Sequence, residues 1–272
     1  MLLSAVILVL QETLEVALLV SVLIAVSHQA GIRMTWLPFG LIAGFILAFL
    51  FAVNTDLVSA WFDYVGLEVV NAVLQILIAL ALALFTWSTF ASRLVLRTGR
   101  GPRGSNDLLL FELSALFAIA LAINREGSEI LLYLGGFVRQ EEAMTAVLMG
   151  GGIGFAIGVS VAVIVFYGLT SLPGRSGLAA STCLLALFSG NMLSQAVQQL
   201  TQADWLPALK PVWDMSASLP ENTLTGQMLY AFMGYEATPS AIQVAAYVAG
   251  ILLVALSALS PRLFEPRTVR LN

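Results

Sequence analysis

The chain has 272 residues, of which 59% are hydrophobic and 10% are charged, with a formal net charge of −4 and a mean hydropathy of +0.93. This composition excludes a soluble globular domain and predicts a polytopic membrane protein, so we expect the lipid bilayer, and no nucleic acid, among its partners. The single cysteine, Cys183, excludes an intramolecular disulfide and a thiolate metal cluster.

Seven stretches are apolar over about 20 residues, the length that a helix needs to cross the hydrocarbon core. They are approximately residues 3–26, 36–53, 66–90, 108–134, 144–170, 178–200 and 242–259. The first stretch lacks a basic region before it and contains two acids, so we interpret it as a retained helix and not as a signal peptide. The prediction is an all-α fold with seven transmembrane helices in a single domain, 1–272.

Charge is distributed unequally between the two sides of this arrangement. If the helices alternate in direction, one side receives Arg33, Arg93, Arg97, Arg100, Arg103, Arg175, Arg262, Arg267 and Arg270. The other side receives Asp56, Asp63, Glu141, Glu142, Asp204, Asp214, Glu221 and Glu236, with Arg139 and Lys210. The positive-inside rule then predicts a cytoplasmic membrane protein with its N-terminus outside and its C-terminus in the cytoplasm. Its acidic outer face would concentrate cations.

The sequence also repeats itself at an offset of 114 positions. This offset relates Glu12 to Glu126, Glu15 to Glu129, Gly40 to Gly154, Gly44 to Gly158 and Ala48 to Ala162. Because three helices separate the copies, the second copy crosses the membrane in the opposite direction. We therefore predict an inverted 3+3 repeat, with repeat one at about 1–92 and repeat two at about 108–200. An outer loop, 201–241, and a last helix, 242–260, follow. The rows of small residues every four positions predict close helix packing.

Two carboxylate motifs lie within the first and fourth apolar stretches, 11–15 and 125–129. An ionisable side chain at the bilayer centre costs about 3 kcal/mol, so such residues indicate a function. In each motif the two acids are three positions apart and share one helix face. If the two helices pack together, these acids converge and offer the oxygen ligands that hard cations prefer. The predicted metal ligands are Glu12, Glu15, Glu126 and Glu129.

Three further residues are predicted to support this site. Arg125 precedes Glu129 by one helical turn and can orient its carboxylate, whereas Gln11 holds the equivalent position in the first motif without a charge. Glu68 begins the third stretch, where it either relays cations inward or is a solvated interfacial acid. A purely structural ion-pair network is disfavoured, because one arginine leaves about three of four glutamates unpaired.

The sixth stretch also contains a row of polar residues: Asn191, Gln195, Gln198 and Gln199. Two interpretations of this row stay open from the sequence. The side chains either form hydrogen bonds between helices or line a polar path through the membrane.

At the two motifs the chain resembles the oxidase-dependent iron permease family, which includes the yeast high-affinity iron permease and the bacterial Efe-type importers. Residues 125–129 match the Arg-Glu-x-x-Glu hallmark of this family in full, and residues 11–15 keep both acids but lack the arginine. The segment before the last helix is similar to the bacterial branch at Trp213-Asp214, Leu219-Pro220-Glu221, Gly226, Gly234-Tyr235 and Pro239-Ser240. The resemblance implies import of iron as Fe3+, or as Fe2+ coupled to oxidation, with the motif glutamates as ligands and a ferroxidase or external iron-delivery protein as partner.

We therefore expect an iron permease, with iron as the transported substrate, no cofactor and no enzymatic activity. The chain contains no Walker-type nucleotide motif and no His-Glu-x-x-His, which disfavours a pump and an intramembrane hydrolase. Two alternatives stay open. The protein is a permease for another metal cation, such as manganese or lead, or a metal-binding membrane subunit that does not transport.

Overall fold

A computed structural model describes residues 2–98, 105–137, 141–221 and 223–263. The regular elements of this part are nine α-helices. They are α1 (Leu2–Ala30), α2 (Trp36–Val53), α3 (Thr55–Ser59), α4 (Gly66–Thr98), α5 (Ser105–Gly135), α6 (Glu141–Ser171), α7 (Gly174–Gln202), α8 (Leu224–Met233) and α9 (Ala241–Leu263). All except α3 and α8 are long and apolar enough to cross a membrane. The predicted all-α fold with seven membrane-spanning helices is confirmed.

Four of the long helices form the centre of the bundle and three lie at its periphery. At least half of the most apolar window is buried in α1, α4, α5 and α7, but only about a quarter in α2, α6 and α9. In the centre, the rings of Phe85 and Phe111 contact each other at 4.6 Å between centroids. On α2, by contrast, Phe39, Phe45 and Phe49 are exposed, as expected for lipid-facing side chains. Both motif-bearing helices, α1 and α5, are therefore central.

The rows of small residues pack each peripheral helix closely against a motif helix. A Cβ added to Gly40 or Gly44 of α2 would meet the carbonyl oxygens of Leu116 or Ala120 of α5 at 3.4 and 3.1 Å. On α6, an added Cβ at Gly154 would lie 2.5 Å from the carbonyl oxygen of Val6 of α1. These contacts match the prediction of close packing and hold α5 and α1 in place.

The same contacts correct the register of the internal repeat in its second helix. In the first copy, Gly40 and Gly44 face Leu116 and Ala120 of α5. The residues of α1 that lie 114 positions earlier are Leu2 and Val6. They face Gly150 and Gly154 of α6. These glycines follow their counterparts Gly40 and Gly44 by 110 positions, and not by the 114 expected from the sequence. Small residues recur every four positions in both rows. Aligning the rows four positions out of register, which is about one helical turn, therefore still matches small residues with small residues. The pairing of α2 with α5 and of α6 with α1 is the one that an inverted repeat requires.

The predicted outer loop, 201–241, contains a helix that enters the bundle. Thr223 caps the N-terminus of α8 by accepting a hydrogen bond from the amide of Gly226, and Gly234 ends the helix in the left-handed conformation, with φ of 66°. The helix packs against α1 and α7, and its Ala231 is buried. Hydropathy along the sequence did not indicate α8, because its ten residues are too few for a transmembrane span.

The orientation prediction depends on several residues whose side chains the structure does not describe. They are Arg93, Arg97, Arg100, Arg103, Arg139, Glu141, Glu142, Arg262, Arg267 and Arg270. Of the acidic side chains that the structure does describe, Asp56, Asp214 and Glu221 belong to short connecting elements and loops between the long helices. The orientation of the termini therefore stays a prediction.

Candidate functional site

Three of the four predicted ligands lie together at the centre of the bundle. Oxygen atoms of Glu12 on α1 and of Glu126 and Glu129 on α5 are all within 4.8 Å of one another. We call these residues the three-carboxylate group. Glu12 and Glu126 are buried, whereas the side chain of Glu129 is 39% exposed and forms the accessible edge of the group.

Arg125 is the counter-ion of this group. Its side chain is buried, and its Nη1 pairs with Oε1 of Glu126. The same guanidinium lies 3.6 Å from Oε2 of Glu15 and 3.9 Å from Oε1 of Glu129, the latter being the predicted contact across one helical turn. One positive charge therefore serves three glutamates from two helices, so the site as a whole has an excess of acidic groups.

Glu15, the fourth predicted ligand, is buried beside the three-carboxylate group but is not a member of it. Besides Arg125, its carboxylate contacts α7, where Nε2 of Gln195 donates to Oε2 of Glu15 at 3.5 Å. The structure thus divides the four glutamates into a group of three and a single neighbour. Whether each of them binds a metal stays a prediction.

A small cavity adjoins the glutamates on the side toward the C-terminal half of α1. Glu15 and Glu126 line it together with Asn191 of α7 and Ala231 of α8. The remaining lining residues are apolar: Val16, Leu19, Ile78, Leu82, Ala122, Phe188 and Met192. The cavity has room for about one water molecule. Farther along α1, buried apolar side chains that include Val22, Leu23 and Phe85 pack together and close the bundle.

Tyr230 of α8 is a site residue that sequence reasoning missed. Burial, and then the charge of Glu15, raise the pKa of Tyr230 well above its ordinary value, so the hydroxyl stays protonated. The hydroxyl also interacts electrostatically with Arg125, Glu126 and Glu12. The sequence did contain a signal for this helix. Thr223 and Gly234 are residues typical of an N-cap and a C-cap, and the ten residues between them are mostly apolar.

The other predicted residues surround the site without joining the group. Gln11 is half-buried on α1, and Glu68 is half-buried in the first turn of α4, outside the three-carboxylate group. Of the polar row on α7, Asn191 and Gln195 are buried and Gln198 is exposed. Asn191 lines the cavity and Gln195 contacts Glu15, whereas Gln199 is half-buried.

The spacing of the three carboxylates fits a hard cation. Two ligands on opposite sides of an ion are separated by twice the metal–oxygen distance, about 4.0–5.2 Å for bonds of about 2.0–2.6 Å. The 4.8 Å limit within the three-carboxylate group lies in this range. Anionic oxygen donors without a sulfur or imidazole ligand favour hard cations over soft ones.

In comparisons with known proteins, a family model matches nearly the whole chain. No curated protein and no solved structure matches the chain significantly. The model of the iron permease FTR1 family, however, matches residues 2–271, which include both carboxylate motifs and all seven membrane-spanning helices of the described part. This match confirms the resemblance noted at the motifs, and the chain is a multi-pass membrane protein that belongs to the iron permease FTR1 family.

Proposed function

We propose that this protein imports iron across the cytoplasmic membrane through the glutamate site between α1 and α5. The observation that carries the proposal is the three-carboxylate group, which gathers anionic oxygen ligands from two helices at the centre of a membrane-spanning bundle. Family membership supports iron as the cargo. The transported species is Fe3+, or Fe2+ that gives its electron to a partner ferroxidase as it enters, because carboxylate oxygens suit a hard, highly charged ion.

The direction of transport follows from the proposed orientation, with the N-terminus outside. In that orientation the accessible Glu129 lies on the outer side of the site, and the apolar closure beyond the cavity lies on the cytoplasmic side. Iron then enters from a ferroxidase or an external delivery protein and leaves after the bundle opens inward, as in alternating access. The protein acts as a permease and not as an enzyme, and it needs no cofactor.

Uptake of radiolabelled iron into proteoliposomes tests this proposal. We expect Glu126→Gln to reduce uptake at least about 10-fold, since even outer partners of a metal ligand contribute that much to affinity. Glu112→Gln is the matched control, because Glu112 lies on the same helix but accepts a hydrogen bond from Thr35 away from the group. Equal uptake by Glu126→Gln and the unmodified protein contradicts the proposed site.

Two further measurements separate the alternatives. Competition by manganese and lead determines the ion, and iron must be the preferred one. Uptake run with an oxidant and with a reductant distinguishes Fe3+ from Fe2+. Iron binding without any flux would identify a metal-binding subunit that does not transport, and would reject the permease.

A further inference from the structure

Two buried glutamines link the site to helices that carry neither motif. Nε2 of Gln75 on α4 donates a hydrogen bond of 2.8 Å to Oε1 of Gln195 on α7. The Nε2 of Gln195 in turn faces Oε2 of Glu15 on α1 at 3.5 Å. All three residues are buried: the exposed fraction is 0% for Gln75, 4% for Gln195 and 6% for Glu15. An amide chain therefore crosses the bundle from α4 to Glu15.

This chain has a fixed direction. Because the oxygen of Gln195 accepts from Gln75, its amide nitrogen is the end that points toward Glu15. A nitrogen can only donate, so Gln195 presents a donor to the carboxylate. The amide oxygen of Gln75, Oε1, has no hydrogen-bond partner among the described residues. Helix packing alone does not explain an unpaired buried oxygen, since an apolar side chain of similar size would avoid it.

The donor and the counter-ion hold Glu15 from two sides. Gln195 contacts Oε2 of Glu15, and Nη1 of Arg125 lies 3.6 Å from the same oxygen. These contacts explain why Glu15 stands apart from the three-carboxylate group although it shares a helix face with Glu12. They also place Glu15 at the wall of the cavity that Asn191 and Glu126 line as well.

We propose that Gln195, oriented by Gln75, is a positioning residue. It holds the carboxylate of Glu15 so that this side chain provides a second binding position for the cation, beyond the three-carboxylate group. The inference rests on the proposed function and describes how the ion leaves the three-carboxylate group. Glu126 belongs to the three-carboxylate group and also lines the cavity. The ion therefore moves from Glu12 and Glu129 to Glu15 while Glu126 keeps hold of it.

This assignment predicts a separation between binding and flux. The three-carboxylate group binds the arriving ion without Gln195, so a variant that loses the amide donor keeps its affinity. Transfer to Glu15 needs the positioned carboxylate, so the same variant transports more slowly. A glutamine that served only to pack α7 against α1 would change neither quantity in protein that is folded.

Gln195→Met tests the proposal because methionine keeps the length of the side chain and removes both hydrogen bonds. We expect its iron dissociation constant, measured by calorimetry on purified protein, to stay within about twofold. We expect its maximal iron flux in proteoliposomes to fall about tenfold, the effect of a lost hydrogen bond to a charged group. Gln198→Met, an exposed position on the same helix, is the control and retains full flux.

A second variant keeps the test decisive if Gln195→Met does not fold. Gln75→Met leaves the contact between Gln195 and Glu15 in place but removes the partner that orients the amide, so flux should fall about threefold with unchanged affinity. Unchanged flux in the folded variants overturns the proposal, as does a loss of affinity that equals the loss of flux. Glu126→Gln, measured in parallel, reports on the proposed function separately, because it must lose binding as well as flux.

Discussion

Nη1 of Arg125 on α5 lies 3.6 Å from Oε2 of Glu15 on α1, so the only arginine of the two motifs reaches across to the other helix. The internal repeat provides no equivalent contact, because Gln11 stands where a second arginine would lie. The site is consequently asymmetric. Three carboxylates lie close enough together to share a cation, and the fourth is held beside them by the guanidinium of Arg125 and the amide of Gln195.

Removing the counter-ion should destabilise the protein more than it alters the shape of the site. Arg125→Met leaves Glu15 and Glu126 buried without their partner, and breaking a buried ion pair in this way costs about 3–5 kcal/mol. We expect a lower melting temperature in detergent and a smaller monodisperse fraction. Arg125→Lys keeps the charge but not the forked geometry, so it should lose less. An Arg125→Met protein as stable as the unmodified one would show that the glutamates do not depend on this charge.

Placing a guanidinium at Gln11 should change the selectivity for ion charge. By the symmetry of the repeat, the introduced group would pair with Glu12 and draw Glu129 from the three-carboxylate group. At about 6–8 Å and an effective dielectric constant of about 20, its repulsion is about 2–3 kcal/mol per unit charge of the ion. Gln11→Arg should therefore weaken Fe3+ binding more than Fe2+ binding in calorimetric titrations.

The neutral variant Gln11→Leu is the control for that experiment. It removes the amide without adding a charge, so the ratio of Fe3+ to Fe2+ affinity should stay as in the unmodified protein. If Gln11→Arg changes both affinities by the same factor, local charge does not set the preference of the site.

Tyr230 should contribute to the site through its hydroxyl alone. Its electrostatic interaction with Glu15 places the hydroxyl near that carboxylate, so Tyr230→Phe removes a polar group beside Glu15 and keeps the ring. The three-carboxylate group stays intact in this variant, so we expect iron affinity to stay within about twofold and iron flux to fall roughly fivefold, the effect of a polar interaction of about 1 kcal/mol. Tyr64→Phe is the control, since Tyr64 is 82% exposed and far from α8 in the chain. Equal iron flux in the two variants would remove Tyr230 from the site.

The row of small residues on α6 should tolerate no side chain where it meets α1. At Gly154 an added Cβ would lie 2.5 Å from the carbonyl oxygen of Val6, whereas at Gly152 it would meet nothing within 4 Å. Gly154→Leu should lower stability by about 1–3 kcal/mol or more, because overpacking moves α1 away from α6. Thermal unfolding in detergent measures the difference. Gly152→Leu should unfold like the unmodified protein, and a similar loss in both variants would contradict the packing account.

The sequence predicts the parts of this protein that leave a periodic or compositional signal. Seven apolar stretches of sufficient length correspond to the seven membrane-spanning helices, and two repeated motifs identify the residues that meet at the centre. Tertiary contacts account for what the sequence did not predict. The partner of Gln195 is Gln75, 120 positions away, and only the packing of α4 against α7 brings the two together. The short α8 and the register of the second helix likewise depend on contacts between helices.

The most direct test of the glutamate site is to locate the ion itself. A structure of the iron-loaded protein, determined with anomalous scattering at the iron edge, should contain a peak with oxygens of Glu12, Glu126 and Glu129 at about 2.0–2.6 Å. An iron peak elsewhere in the bundle, or one that none of these three carboxylates contacts, would contradict the account.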